Sequence, residues 1–267
     1  MDINNSTFNL KFLGTGAADF SPLLKTEYKE KFGLDARRSS SILLNGHILI
    51  DAGVHTYESL NITGADISKI TDIFISHLHI DHYNAEVIEK IASHREKPVK
   101  LWLPEGSSES KHFTKSANTE VKLMKNFETY ETACKIKVSA MPANHSTEYL
   151  SRHFVFEKEN KKFFYGLDGA WFLFDSYYFM QNMKLDLMIL DATCGDYEGD
   201  YRMAEHNSIP MIKLMLPSLK TMNIIDENSK IILSHIAPTL NKPHTETEKI
   251  VSEFGALLAF DGMEFSL

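Results

Sequence analysis

Short apolar runs separated by polar turns dominate the chain, and most are too short to be helices. Phe8 to Leu13 alternates apolar and polar side chains, the period of a half-buried strand. Ile42-Leu43-Leu44 and Ile48-Leu49-Ile50 flank Asn45-Gly46, a strong hairpin signal. Further strands are predicted at 70–75, 99–104, 185–190 and 231–235, and from 135 on to Pro142. Phe154-Val155-Phe156 and Phe163-Phe164-Tyr165, joined by a polar turn, predict a second hairpin. Helices are expected at 86–91, 209–222 and 245–254. Asn84 is placed to cap the first of these and Asn207 or Ser208 the second, in which Pro217 predicts a kink or break. Residues 19–36 read as a lid or short helix, and 105–130 carry no clear pattern. Strands alternating with helices in this order predict a layered α/β protein with sheets at its centre.

Composition adds a boundary on function. With 267 residues, 43% of them hydrophobic, the chain can bury a sizeable core, and one domain over 1–267 is expected. The net charge of -8 argues against an extended nucleic-acid surface. It leaves a small anionic substrate open, because bound metal ions reverse the local sign. Cys134 and Cys194 form neither a close pair nor a metal-binding spacing. Met1 to Asn5 hold no basic region and no long apolar run. Neither a signal peptide nor a membrane span is therefore expected, and the cytoplasm is the expected location. The sequence leaves a homodimer open.

The densest chemistry follows the strand at 70–75. Ser76-His77-Leu78-His79-Ile80-Asp81-His82 crowds three imidazoles and a carboxylate together, donors that suit zinc, manganese, iron or nickel. Residues two apart point the same way in an extended segment, and His82 falls out of phase. The break suggests two ions, His77 and His79 on one, Asp81 and His82 on the other. Asp51 ends a predicted strand near these histidines and reads as a supporting partner for them, a role that the family resemblance given below assigns to it without metal binding. Gly14-Thr15-Gly16 is a tight turn or a weak phosphate-binding signal. Arg37 and Arg38 are candidates for gripping a substrate's phosphate oxygens. The histidines His47, His55, His94, His112, His153 and His244 read as structural or solvated, with His244 the best exception.

His-x-His-x-Asp-His after a strand resembles the metallo-β-lactamase superfamily. That resemblance implies a four-layer αββα sandwich with metal ions at one edge of its sheets. It implies that His145 completes the first ion, that Asp168 bridges both, and that His235 completes the second. A closer resemblance runs along nearly the whole chain. Leu13-Gly14-Thr15-Gly16, Leu49 to Gly53, Asn144-His145-Ser146, Leu167-Asp168, Leu190-Asp191, His206, Ser234-His235-Ile236 and Phe260-Asp261-Gly262-Met263-Glu264 appear in order. Together with the metal loop they look like the PhnP group, phosphodiesterases that open a phosphoribosyl cyclic phosphate. In that group a histidine placed like His206 is the general acid, and the catalytic set here is His206 with the ligand Asp81. The group's cysteine cluster is missing, since residues 17–36 contain no cysteine, and Pro238 stands near where its last zinc ligand belongs. Two divalent ions are expected, zinc or manganese with nickel or iron as alternatives, and no structural zinc.

The expected reaction is hydrolysis of a small cyclic phosphate, a phosphoribosyl cyclic phosphate or cyclic nucleotide, by hydroxide held between the ions. Another hydrolase on the same fold competes with it, a tRNA 3′-processing nuclease or a lactonase. A tRNA nuclease usually carries a glycine- and proline-rich arm and a more basic surface, and neither is evident here. A non-catalytic binding protein on this fold is the third reading, and the complete ligand set speaks against it.

Overall fold

The computed structural model describes residues 7–146 and 148–267. The N-terminal residues read for a signal peptide, Met1 to Asn5, lie outside that range. The chain forms two compact units. Unit 1 takes residues up to Met124, Glu148–Leu150 and Phe260–Leu267, and unit 2 takes Lys125–Thr147 and Ser151–Ala259.

Unit 1 holds β1 (Asn9–Gly14), β2 (Ser41–Leu44), β3 (Ile48–Ile50), helix α1 (Thr56–Thr63), β4 (Asp72–Phe74), helix α2 (Ala85–Ala92), β5 (Val99–Pro104) and β6 (Thr119–Met124). A last strand, Glu264–Ser266, pairs antiparallel with β1 and completes a seven-stranded sheet. Strands β3 to β6 run parallel. Asn84 does cap α2, its Oδ1 accepting from the Val87 N–H at 3.0 Å. The helix buries Val87, Ile88, Ile91 and Ala92 on one face. Each of the three larger side chains contributes about 1.5–3 kcal/mol by leaving water.

Unit 2 holds β7 (Thr129–Glu131), β8 (Lys137–Pro142), β9 (Arg152–Lys158), β10 (Lys161–Gly166), helix α3 (Phe174–Phe179), β11 (Leu187–Asp191), helix α4 (Ile209–Thr221), β12 (Lys230–Ser234), helix α5 (His244–Ser252) and β13 (Leu257–Leu258). These seven strands form the second sheet, in which β10 to β13 run parallel. Strand β11 is buried along its whole length, which is why its sequence runs apolar without alternation. Ser208 caps α4, and Pro217 does not end it. Pro217 and Lys213, whose carbonyl loses its partner, both lie on the exposed face where water can replace the bond. No helix among the described residues is long and apolar enough to cross a membrane.

Some sequence expectations need revision. Residues 105–130, which showed no pattern, contain β6 and the start of β7, edge strands whose side chains stay partly in water. The only helix within 19–36 is the short 3-10 turn Pro22–Lys25. Gly16 is a packing residue: a Cβ there would stand 2.2 Å from the Arg37 carbonyl oxygen. The Thr15 and Gly16 N–H groups donate to Asp261 and to the Arg38 carbonyl, so this turn does not present them to a phosphate.

Candidate functional site

In each unit the chemistry collects where parallel strands end, the usual place for sites in α/β sheets. Three of the residues concerned turn off their strands in the left-handed region, Asp51 at φ 61°, Asp168 at φ 52° and His235 at φ 58°. That backbone is uncommon for residues with a Cβ and tends to gather at functional sites.

In unit 1 the loop after β4 carries His77, His79, Asp81 and His82. His77 Nε2 and His79 Nδ1 face each other at 2.8 Å. His82 Nε2 lies 3.3 Å from Asp81 Oδ2. Asp51, fully buried at the end of β3, holds the loop from behind. Its carboxylate accepts from the Ser76 N–H at 2.7 Å, the Ser76 hydroxyl at 2.9 Å and His82 Nδ1 at 2.7 Å. Gly53 lets the strand end come this close, because a Cβ there would stand 2.0 Å from the Asp81 carbonyl oxygen. The ring of Tyr149 lies 3.9 Å from that of His79.

In unit 2 Asp168 follows β10, Asp191 ends β11 and His235 follows β12. His235 Nε2 is 3.1 Å from Asp168 Oδ1, and His145 Nε2 is 3.7 Å from Asp168 Oδ2. The outer nitrogen of each ring is anchored. His145 Nδ1–H donates to the Glu205 carbonyl at 3.1 Å. His235 Nδ1 donates to the Thr193 hydroxyl at 2.7 Å, and that hydroxyl donates in turn to the His235 carbonyl at 2.9 Å. Such anchors fix the tautomer and leave the Nε2 lone pair for a metal.

His206 stands beside these groups. Its Nδ1 lies 2.8 Å from Asp191 Oδ2 and 3.3 Å from Asp168 Oδ1. Burial works against its charge, yet Asp191 and then Asp168 override it and raise the pKa to about 11. Burial pushes Asp191 up, but His206 and His235 outweigh it and hold the carboxyl below its usual range. Behind them His153 is buried, and that burial lowers its pKa to about 4, which keeps it neutral.

The donor spacing fits divalent ions. Two ligand atoms about 2.1 Å from one tetrahedral ion lie about 3.4 Å apart. The four pairs above span 2.8 to 3.7 Å. Groups able to hold a metal include Asp168, Asp191, His206 and His235 within unit 2.

Sequence reasoning gave Asp191, Thr193 and Tyr149 no role. Asp191 stood in the PhnP-like series, and a carboxylate closing an apolar strand was the one signal available. Arg37 and Arg38 lie elsewhere in unit 1. Arg38 is fully buried, and its guanidinium donates to Glu58 Oε1 at 2.7 and 3.1 Å and to the carbonyls of Tyr28 and Lys31. Arg37 is buried too and donates to the Thr15 hydroxyl at 3.0 Å. His244 is buried at the start of α5, 3.8 Å from Glu248.

Comparison with known proteins places this architecture. A solved diphosphatase of the PhnP family superposes with a TM-score of 0.71 at 20% identity, over 97% of this chain and 98% of that one. Human tRNase Z, short form, gives 0.66 at 22% identity, over 97% and 98%. PqqB from Methylobacterium extorquens gives 0.72 at 14% identity, over 97% and 100%. These likenesses establish the metallo-β-lactamase type of fold. In sequence, Ribonuclease Z from Methanococcus maripaludis strain C5 is 38% identical over 100 residues. That match takes in 36% of this chain and spans only 28% of the relative's length. Residues 47–236 match the family described as the beta-lactamase superfamily domain, whose members typically bind divalent metals. With most of its length covered by that match, the chain belongs to this hydrolase family.

Proposed function

We propose that the chain is a dinuclear metal-dependent phosphodiesterase that opens a small cyclic phosphate. In this reading His77, His79, His145 and Asp168 hold one ion, and Asp81, His82, Asp168 and His235 hold the other. When bound, two divalent ions supply an activated water at neutral pH and offset the negative charge of a phosphodiester. The protein's own residues do the rest. Asp51 keeps His82 in the tautomer that offers Nε2, and Thr193 does the same for His235. His206, held through Nδ1 by Asp191, turns its Nε2–H to the leaving oxygen and protonates it. Asp191 keeps that ring charged and oriented while the proton moves.

The observation that carries this reading is the Asp191–His206 pair beside Asp168. An alkoxide leaving group needs a proton, and this pair supplies one next to the proposed ligands. tRNA 3′ processing is the second reading, favoured by the sequence match to Ribonuclease Z. It asks for the same chemistry on a much larger substrate.

Protein stripped with a chelator should lose activity on bis(p-nitrophenyl) phosphate, and zinc or manganese should restore it with two ions per chain. Cyclic phosphates and a precursor tRNA assayed side by side then separate the two readings. No turnover of any phosphodiester by protein holding two ions would sink both. Asp51→Ala should weaken metal retention by ~10- to 100-fold, read by competition with a chromogenic chelator. Unchanged retention would remove Asp51 from the support of His82.

A further inference from the structure

The segment that leaves Asp168 carries a row of exposed aromatic side chains. Trp171 is 44% exposed, Phe174 77% and Tyr178 63%, with Leu173 at 39% between them. This is not a frayed loop. Phe172, Ser176 and Met180 alternate with the exposed residues and are buried. The Phe172 ring meets those of Phe164 at 5.5 Å and His153 at 6.1 Å, and the Ser176 hydroxyl donates to the Pro142 carbonyl at 2.8 Å. Phe174 and Tyr178, one helical turn apart on α3, lie nearly parallel, at 16° with centroids 6.2 Å apart.

The row begins at the candidate site. Trp171 is three residues from Asp168, and its carbonyl accepts from the Asn144 side chain at 3.1 Å. The Ala170 N–H donates to the Asn144 carbonyl at 2.9 Å, and Asn144 directly precedes His145. The fold therefore fastens Trp171 to the neighbours of both unit 2 residues proposed to hold the first ion. A cluster of exposed apolar side chains held this firmly marks a place where something binds. Flat π-faces select a flat partner, and stacking tolerates any base. A sugar phosphate alone offers no such face. The net charge of -8 disfavours a long polyanion but admits a single nucleotide.

We propose that Trp171, extended by Phe174 and Tyr178, receives the heteroaromatic base of the substrate, which makes that substrate a nucleoside cyclic phosphate rather than a base-free sugar phosphate. This rests on the phosphodiesterase reading and narrows it. Trp171 is a specificity residue in this account, and the reacting atoms lie with the metal ligands and His206.

The test compares adenosine 2′,3′-cyclic phosphate with a ribose cyclic phosphate lacking the base, using metal-loaded protein. Trp171→Ala should raise KM for the adenosine compound by ~5- to 150-fold with little change in kcat, and leave the base-free compound unaffected. Trp171→Phe should restore most of the loss. A second readout needs no turnover. The chain has two tryptophans, and Trp102 is buried against Phe74. Adenosine monophosphate should therefore quench the exposed Trp171, and Trp171→Phe should abolish the quench. Equal effects on both substrates, or no quench in the wild-type protein, would overturn the proposal while leaving the phosphodiesterase reading in place. A quench by nucleotide without hydrolysis of any phosphodiester would keep base binding and remove the parent reading. Conversion of a dimer to a monomer by Trp171→Ala, without a base-dependent change in KM, would make the row an interface between copies and overturn the proposal.

Discussion

Replacing His206 by alanine is expected to slow hydrolysis of an alkyl phosphodiester by ~100- to 10,000-fold, the usual worth of a positioned general acid. The loss should shrink on a nitrophenyl diester, because nitrophenolate departs without a proton. The basis is the arrangement around its ring. Nδ1 is held by Asp191 at 2.8 Å, and the two neighbouring carboxylates keep the imidazole protonated through the neutral range. In the proposed site Asp168 would share its charge with metal ions, while Asp191 keeps its hold. Asp191→Asn should therefore reproduce much of the same leaving-group-dependent loss. Metal content, measured on each variant, separates the alternatives. Retained metal with equal losses on both substrates would point to positioning. Loss of an ion from His206→Ala would make the histidine a ligand and overturn its assignment as the acid.

Removal of the Asp261 carboxylate should cost stability on the order of 3 kcal/mol, a large share of the ~5–15 kcal/mol that holds a typical protein folded. Asp261 is buried and serves two segments of unit 1 at once. Oδ1 accepts from the Thr15 N–H at 3.0 Å and the Thr15 hydroxyl at 2.8 Å. Oδ2 accepts from the Arg38 N–H at 2.9 Å and lies 3.6 Å from its guanidinium. Asp261→Ala strips both segments and leaves a buried guanidinium short of one counter-charge. Glu58, 2.7 Å from Arg38, keeps the penalty at the low end for a broken buried pair. The measurement is the urea midpoint at unchanged m-value. Asp261→Asn, which keeps a carbonyl for Thr15, should lose less. A shift worth under about 1 kcal/mol for the alanine variant would show that this network does not secure unit 1.

Much of the fold was legible because strands buried along their whole length are largely apolar, as Leu187 to Leu190 of β11 are. The donors in His77 to His82 were legible for another reason, since few other demands crowd imidazoles and a carboxylate so closely. What escaped notice depended on partners distant in sequence. Asp191 is one carboxylate at a strand end, and its contact with His206, 15 positions away, is what gives it a role. Arg38 looked like a substrate contact because its acceptors, Glu58 and Asp261, lie 20 and 223 positions away. Strand β6 was hidden because an edge strand can keep Glu120 and Lys122 in water. Nothing in the sequence sets Trp171, Phe174 and Tyr178 apart from buried aromatic residues, and only the fold leaves them exposed.

The pairing of Arg38 with Asp261 also sets an order of events at the ribosome. Chains emerge at ~5–20 residues per second, so the 223 positions between the two take about 11–45 s to synthesise. Over that interval β1 lacks its outer neighbour strand, and Thr15 and Arg38 lack their shared carboxylate. The segments of unit 2 that become buried are all translated before that carboxylate exists. Nascent chains halted before codon 261 should therefore leave the β1 region open to proteases. Chains released past it should close that region in a single late step.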